Sequence, residues 1–137
     1  MTDWPRWQVC QLSQLGDPGA RGFEVGGGTW PFRGFVMQQS GELKAYANIC
    51  PHLSHPLDML PDEFFAEDGK VLRCMSHGAL FDPDSGLCLA GPCVGESLLT
   101  LECGSDGDQV WVRAPETLQE GIERVREGAG TNAPGRA

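Results

Sequence analysis

The sequence predicts a mostly β protein with one short helix near its C-terminus. Apolar and polar residues alternate over several short segments, and clusters of glycine, proline, aspartate and serine separate these segments. Strands of this length and spacing are typical of an antiparallel sandwich or barrel. A helical pattern is found only after Arg113, and the chain contains no internal repeat. Its 137 residues are enough to bury one moderate core, so we expect one small β domain.

In the N-terminal half, turn residues divide the chain into four strands. The predicted strands are 7–12, 22–25, 35–39 and 43–46. Three consecutive glycines follow the second strand. They lack the lysine and the strand–helix setting of a phosphate-binding loop, and they therefore predict a turn. Ser40-Gly41 makes the last two strands a hairpin, which leads the chain to Asn48.

The C-terminal half predicts two further hairpins and the helix. The predicted elements are strands at 71–73, 81, 87–89, 98–102 and 109–113, and a helix from about 115 to 127. The turns of the hairpins are Asp82-Pro83-Asp84-Ser85-Gly86 and Gly104-Ser105-Asp106-Gly107. A proline at 115 suits the start of a helix, and residues 128–137 predict a disordered tail. We therefore divide the chain into a domain, 1–114, and a C-terminal extension, 115–137.

Charge excludes one class of partner. Nineteen acidic and 10 basic residues give a formal net charge of −9, and no basic patch is present, so a nucleic acid would be repelled. The acidity suits either a basic face on a protein partner or simple solubility.

No apolar run reaches the ~18 residues that a membrane span needs. The first residues resemble neither a secretory signal nor a twin-arginine signal. We therefore expect a cytoplasmic protein with no membrane association.

Two short cysteine–histidine pairs are the most informative feature. They are Cys50-Pro-His52 and Cys74-Met-Ser-His77, with 21 residues between His52 and Cys74. Thiolate and imidazole together suit zinc or an iron–sulfur cluster. A structural zinc finger usually opens with two cysteines and closes with two histidines, whereas each pair here mixes the two ligand types. The arrangement favours a [2Fe–2S] centre held by two cysteines and two histidines, with zinc as the alternative.

The surrounding sequence resembles the cluster-binding half of Rieske proteins. The segments that carry the resemblance are CPHLSHPLDMLP and VLRCMSHGALFDPDSGLCLAGP. The family's glycine after the second histidine is present as Gly78, and its Gly-Pro after the next strand is Gly91-Pro92. The stretch between the pairs is longer than is usual in the family, and we place the surplus in a loop at 60–69. The motif covers residues 48–92 in detail.

The resemblance implies a fold, a cofactor and a set of ligands. The fold is all-β, a Rieske-type iron–sulfur domain in which an antiparallel sheet sandwich carries a small cluster-binding subdomain at about 46–93. Its cofactor is one [2Fe–2S] cluster per chain. Cys50 and Cys74 bind the inner iron, and His52 and His77 bind the outer iron. His55 is a neighbour of the cluster and not a ligand.

The remaining cysteines are predicted to be free and apolar. Rieske proteins of the cytochrome bc complexes carry a disulfide between the two ligand loops, and this chain has His55 and Ser76 at those positions. It therefore resembles the disulfide-free, ferredoxin-like branch. We expect the other four cysteines to be buried as small apolar side chains. They are Cys10, Cys88, Cys93 and Cys103.

The function that the resemblance implies is one-electron transfer between a reductase and an acceptor oxidoreductase. No residue is expected to act as acid, base or nucleophile, so the protein is predicted to be an electron carrier and not an enzyme in its own right. A second possibility is a small accessory subunit of a ring-hydroxylating oxygenase or a nitrite reductase. The third is a zinc-binding structural module.

Overall fold

The computed structural model describes residues 4–49, 71–73, 79–91 and 94–131, without the side chains of 126–131. In these ranges the chain forms ten strands, one turn of 3₁₀ helix and one α-helix. They are β1 (Arg6–Gln11), the 3₁₀ turn (Leu12–Gln14), β2 (Gly19–Val25), β3 (Phe32–Gln39), β4 (Glu42–Ala47), β5 (Leu72–Arg73), β6 (Leu80–Phe81), β7 (Cys88–Ala90), β8 (Thr100–Leu101), β9 (Cys103–Asp106), β10 (Gln109–Arg113) and α1 (Leu118–Thr131). The predicted all-β class with a C-terminal helix is confirmed.

The strands form three antiparallel sheets. The outer sheet has the order β1-β10-β9, the central sheet β2-β3-β4-β8, and the small sheet β5-β6-β7. The central hairpin turns at Ser40 and Gly41, whose φ angles of 53° and 80° are both positive, as a two-residue turn of this kind requires. In this hairpin β3 and β4 pair from Gly34 with Ala47 to Gln39 with Glu42, and the chain leaves β4 towards the first Cys-His pair.

The central sheet is buried on both faces. Alternate side chains of a strand point to opposite faces. Phe32 and Val36 of β3 therefore enter one core, while Phe35 and Met37 enter the other. The base core lies between the central and outer sheets, and also includes Val110 of β10. The small core lies between the central and small sheets. Its members are Phe35, Met37, Tyr46, Leu72, Ala79, Phe81, Cys88 and Leu98.

The closing hairpin differs from its prediction. We expected strand 98–102 to pair with 109–113, but its place is taken by Cys103–Asp106, and the turn lies at Gly107. Gly104 thus belongs to a strand and lies opposite Trp111, whose ring is so close that a Cβ at Gly104 would be 2.8 Å from its Cζ2 atom. Only a glycine strand position accommodates that ring. The shorter strand Thr100–Leu101 pairs with β4 instead.

The C-terminal helix is longer than predicted. It ends at Thr131, within the segment expected to be disordered, and residues 132–137 lie outside the described ranges. Leu118 and Ile122 pack against the base core, and Val125 is part of it. No helix among the described residues is long and apolar enough to span a membrane.

Candidate metal centre

The first Cys-His pair follows directly from the central sheet. The N–H of Asn48, the first residue after β4, donates to the carbonyl oxygen of Arg33 at 3.0 Å. Ile49 then lies in the base core with 1% of its surface exposed. Because a backbone hydrogen bond and a closely packed side chain fix the chain up to Ile49, the point from which Cys50 departs is rigidly defined.

The second pair connects two strands of the small sheet. Leu72 pairs with Phe81, and Arg73 pairs with Leu80. The register therefore holds both ends of segment 74–79, which includes the second pair, at the separation of neighbouring antiparallel strands. Leu72 and Phe81 are both fully buried in the small core. The strand that we predicted immediately before Cys74 is thus confirmed as β5.

The glycine of the Gly-Pro motif, Gly91, lies beside Ala79, the first described residue after the second pair. Gly91 has a φ of 101°, a region in which other residues are strained. A Cβ at this position would lie 2.8 Å from Cα and 3.2 Å from Cβ of Ala79. Ala79 is itself completely buried. A larger residue at either position would push apart the two segments that follow β5 and β7.

Tyr46 joins β4, the strand that leads to the first pair, to the turn between β6 and β7, the strands that follow the second pair. Its hydroxyl donates to the carbonyl oxygen of Pro83 at 2.6 Å across 37 residues of sequence, and the contact is buried. Burial first, and then the charges of Asp82 and Asp84, raise the pKa of Tyr46 well above its ordinary value. The phenol therefore stays protonated and keeps its donor. Its ring packs against Phe35, with the centroids 5.8 Å apart.

The turn that carries Pro83 is shaped by its own side chains. The Asp82 carboxylate accepts hydrogen bonds from the N–H of Asp84 at 2.9 Å and from the hydroxyl of Ser85 at 3.2 Å. Gly86 has a φ of 79° and donates its N–H to the Asp82 carbonyl at 2.7 Å. The predicted turn between β6 and β7 is therefore confirmed, and it fixes the oxygen that Tyr46 binds.

One buried donor next to the second pair suits an iron–sulfur group. The Nε atom of Arg73 is buried and has no hydrogen-bond acceptor within the part of the chain that the structure describes. Buried donors are seldom left without a partner. Arg73 directly precedes Cys74 in the sequence, and the sulfur atoms of a cluster or its thiolates are acceptors. The two thiolates and two imidazoles of the motif, together with this donor, fit a [2Fe–2S] cluster.

The four predicted ligands themselves lie outside the described residues. They are Cys50, His52, Cys74 and His77, and the same holds for His55, Ser76, Gly78, Pro92, Cys93 and the loop 60–69. The structure describes the residues that directly precede the first pair and those that flank the second pair. Sequence reasoning did not identify Tyr46, Ile49 or Arg73 as part of the support of the pairs. Tyr46 had one available signal, since it is the only tyrosine of the chain.

The structure describes three of the other cysteines, which are Cys10, Cys88 and Cys103. Cys88 is 2% exposed and belongs to the small core, as predicted. Cys10 and Cys103 are half-buried and pack against the base core. Burial raises the pKa of the Cys103 thiol, which therefore stays protonated and behaves as an apolar side chain. Cys10 and Cys103 are thus less buried than we predicted, and Cys93 lies outside the described residues.

Comparison with solved structures supports the all-β fold described above. The ferredoxin of carbazole 1,9a-dioxygenase from Nocardioides aromaticivorans IC177 is similar at 27% identity and a TM-score of 0.63, over 80% of this chain and 97% of that one. A ferredoxin from Sphingomonas yanoikuyae B1 aligns at 22% identity and a TM-score of 0.60, over 81% and 100%. The terminal oxygenase of the Nocardioides enzyme aligns at 19% identity and a TM-score of 0.65, over 86% of this chain and 33% of that one.

A sequence family also matches. The Rieske [2Fe-2S] domain family covers residues 6–116, which include both Cys-His pairs. No curated protein sequence is significantly similar to the chain. The family match decides between the two cofactors left open by the ligand types, because this family holds an iron–sulfur cluster and not zinc. The chain belongs to the Rieske [2Fe-2S] domain family, and its cofactor is a [2Fe–2S] cluster.

Proposed function

We propose that Cys50, His52, Cys74 and His77 hold the cluster, and that the protein carries single electrons from a reductase to the terminal oxygenase of a ring-hydroxylating dioxygenase system. The domain that does this is residues 1–114, with 115–137 as a C-terminal extension. Such a carrier turns over no substrate alone. It acts in the cytoplasm, a setting supported by Cys103, which forms no disulfide among the described residues, since thiols are kept reduced there.

One observation carries the ligand assignment. The two segments that contain the Cys-His pairs adjoin strands of the central and small sheets, whose facing side chains form the small core. On one side Ile49 fixes the start of the first segment, and on the other the pairing of Arg73 with Leu80 fixes both ends of the second. Tyr46 joins the two supports through its bond to Pro83. This arrangement supports a site that is preorganised for one cofactor held between two segments.

The chain's own residues set the conditions for electron transfer. The bound cluster supplies the one-electron couple. The small core keeps water from one side of the site, since Leu72, Ala79 and Phe81 have no exposed surface. The Nε–H of Arg73 is available to a sulfur acceptor, and such a bond would stabilise the more negative reduced state. The histidines are the ligands that give an electron its short path to a partner.

The choice of acceptor is supported by the structural neighbours and by one surface. The neighbour at 27% identity is the ferredoxin of a carbazole dioxygenase, and another solved structure is a complex of such a ferredoxin with its oxygenase. Leu89 of β7 and Val94 just beyond it are large apolar side chains, exposed by 50% and 64%. Both flank Gly91, which lies against Ala79 and so beside the second pair. Two exposed apolar side chains in these positions support transient docking close to the cluster.

The ligand assignment is tested by substituting each ligand. Cys50→Ala, His52→Ala, Cys74→Ala and His77→Ala should each abolish the native visible and EPR spectra, because one iron loses one of its two protein ligands. His55→Ala is the matched control, and it should leave the spectra largely unchanged. Full retention of the cluster in Cys74→Ala would refute the assignment.

The carrier role is tested with partners. Stopped-flow mixing with a reductase and a terminal oxygenase should show the cluster being reduced and reoxidised, while the protein alone converts no aromatic substrate. The loop 60–69 contains four carboxylates, and we propose that they steer docking. Glu63→Gln should then slow association and weaken its salt dependence. Glu42→Gln, at the opposite end of β4 from Asn48, is the control and should not. Equal, salt-independent rates would mean that the loop does not steer docking.

A further inference from the structure

The C-terminal helix is a feature that the family does not account for. The family match ends at residue 116, and α1 begins at Leu118. The helix nevertheless packs on the base core, where Val125 is 7% exposed. Because α1 lies outside the family domain and still packs on its core, we expect the helix to have a structural role of its own.

The helix approaches the core most closely at Gly121. A Cβ at this position would lie 2.6 Å from Cε1 and 2.8 Å from Cδ1 of Phe32, and 3.3 Å from Cδ1 of Ile49. Phe32 is completely buried and Ile49 is 1% exposed. Glycine is a poor helix former, yet here no other residue lets the helix backbone rest directly on these two side chains. The close approach explains why glycine occupies a buried helical position.

Two sets of contacts hold the helix at this distance. The indole Nε1 of Trp4 donates to Oε2 of Glu120 at 2.9 Å, and the guanidinium carbon of Arg124 lies 5.0 Å from the centre of the same indole ring. At the start of the helix, the N–H of Leu118 donates to the carbonyl oxygen of Trp30 at 2.9 Å. Glu120 and Arg124 flank Gly121 on the helix, so these contacts hold Gly121 close to Ile49.

We propose that α1 is a positioning brace for the first ligand segment, acting through the contact of Gly121 with Ile49. This inference rests on the proposed function, because it takes Cys50 to be a ligand. Ile49 is joined to Cys50 by one peptide bond, and consecutive Cα atoms are about 3.8 Å apart. A displacement of Ile49 therefore moves the Cys50 thiolate relative to the second segment, whose support lies in the small core and does not include α1.

The brace is tested by adding the missing methyl group. Gly121→Ala raises helix propensity, so a purely local effect would stabilise the helix. The brace predicts the opposite sign. Phe32 and Ile49 should be displaced, the melting temperature should fall, and the EPR g-values and the reduction potential of the cluster should shift from those of the parent protein. The potential and the g-values report the geometry of the cluster itself, which general stability does not alter.

Two further variants separate positioning from stability. Ile49→Val removes Cδ1, the atom of Ile49 that the new methyl group would meet, and leaves the contact with Phe32. Gly121→Ala/Ile49→Val should therefore show a smaller spectral shift, relative to Ile49→Val alone, than Gly121→Ala shows relative to the parent. Val110→Ala creates a cavity in the base core, on the outer sheet. It should lower the melting temperature and leave the g-values unchanged. Glu123→Ala, on the exposed side of α1, should change neither property.

The outcomes distinguish the brace from the ligand assignment. Unchanged g-values and potential in Gly121→Ala would overturn the brace, as would an equal shift in the presence of Ile49→Val. If Gly121→Ala does not fold, Trp4→Phe replaces it. That variant loses the indole donor to Glu120 and should also shift the g-values, whereas unchanged values would overturn the proposal. A cluster retained in full in Cys50→Ala would instead overturn the ligand assignment, whatever Gly121→Ala shows.

Discussion

The two ligand-bearing segments have very different supports. The first leaves a long hairpin, in which β3 has eight residues and β4 has six, and it is backed by the base core and by α1. The second connects β5 and β6, which have two residues each. A sheet of such short strands has few hydrogen bonds of its own. We infer that the base folds independently of the cluster, whereas the small sheet depends on its core and on the cofactor, because metal binding is coupled to folding where a site is not otherwise held.

The largest difference should appear between two matched leucines. Leu72 in the small core and Leu101 in the base core are 0% and 3% exposed. Replacing either by alanine removes similar buried surface and should cost about 2–5 kcal/mol locally. Leu72→Ala should lose the cluster while the base keeps its protection from amide hydrogen exchange. Leu101→Ala should lower the melting temperature and keep full cluster occupancy below the transition. Equal cluster loss in both variants would show that the two supports are not distinct.

The next largest effect concerns the hydrogen bond from Tyr46 to Pro83, which joins β4 to the turn between β6 and β7. Tyr46→Phe removes the hydroxyl that donates to Pro83 and leaves a buried carbonyl oxygen unsatisfied. The expected cost is about 1–3 kcal/mol. Hydrogen exchange should show it as faster opening of the small sheet, with the outer sheet little affected. A uniform loss of protection over both sheets would mean that Tyr46 stabilises the whole fold and does not specifically join its parts.

The raised pKa of Tyr46 gives a pH test of the same residue. Below the ordinary tyrosine pKa of about 10 the phenol is protonated in both folded and unfolded chains, so its stabilising effect is complete there. At higher pH the unfolded chain ionises while the buried phenol does not. Stability should therefore fall, by at most about 1.4 kcal/mol per pH unit from this group. Denaturant titrations between pH 9 and about 11 would measure it. Tyr46→Phe should show a smaller fall, and an identical fall would contradict the assignment.

The smallest expected effect is a change in reduction potential, and it concerns only the second ligand-bearing segment, residues 74–79. Rieske potentials span about −150 to +300 mV, and hydrogen bonds to sulfur raise them. Ala79 follows the Cys-His-Gly motif and has no hydroxyl to donate, so we predict a potential at or below about −50 mV. Ala79→Ser adds one donor, of about 1 kcal/mol, and should raise the potential by roughly 40 mV. Because Ala79 is completely buried against Gly91, Ala79→Val is the control for crowding. A potential well above zero in the parent protein would contradict the prediction.

The sequence was sufficient for the parts of the fold that local chemistry determines. Ser40-Gly41 and Asp82 to Gly86 form turns from their own residues, and both predicted hairpins are confirmed. The closing hairpin was wrong because Gly104 and Ser105, which we predicted to be turn residues, continue strand β9, where Gly104 lies opposite Trp111. The C-terminal limit of α1 was underestimated because residues 128–131 include two glycines, which are poor helix formers.

The candidate site shows the same division. Ligand type and spacing are sequence properties, so the sequence alone yields a ligand prediction, and the four residues lie outside the described ranges. The supports could not be predicted, because the Tyr46–Pro83 bond and the contacts of Gly121 with Phe32 and Ile49 join residues 37 or more positions apart. No local pattern marks such pairs. Arg73 is likewise an ordinary strand residue in sequence, and its buried Nε is apparent only in three dimensions.

The most direct test of the account is the coordination of the cluster by histidine. Pulsed EPR of the reduced protein, prepared with ¹⁵N-histidine, measures how many imidazole nitrogens are coupled to the cluster. Two coupled nitrogens are predicted for the parent protein and for His55→Ala, and this count is incompatible with zinc or with a cluster bound by four cysteines. The absence of histidine coupling in a protein that contains a cluster would contradict the assignment of His52 and His77, and with it the proposed path of the electron.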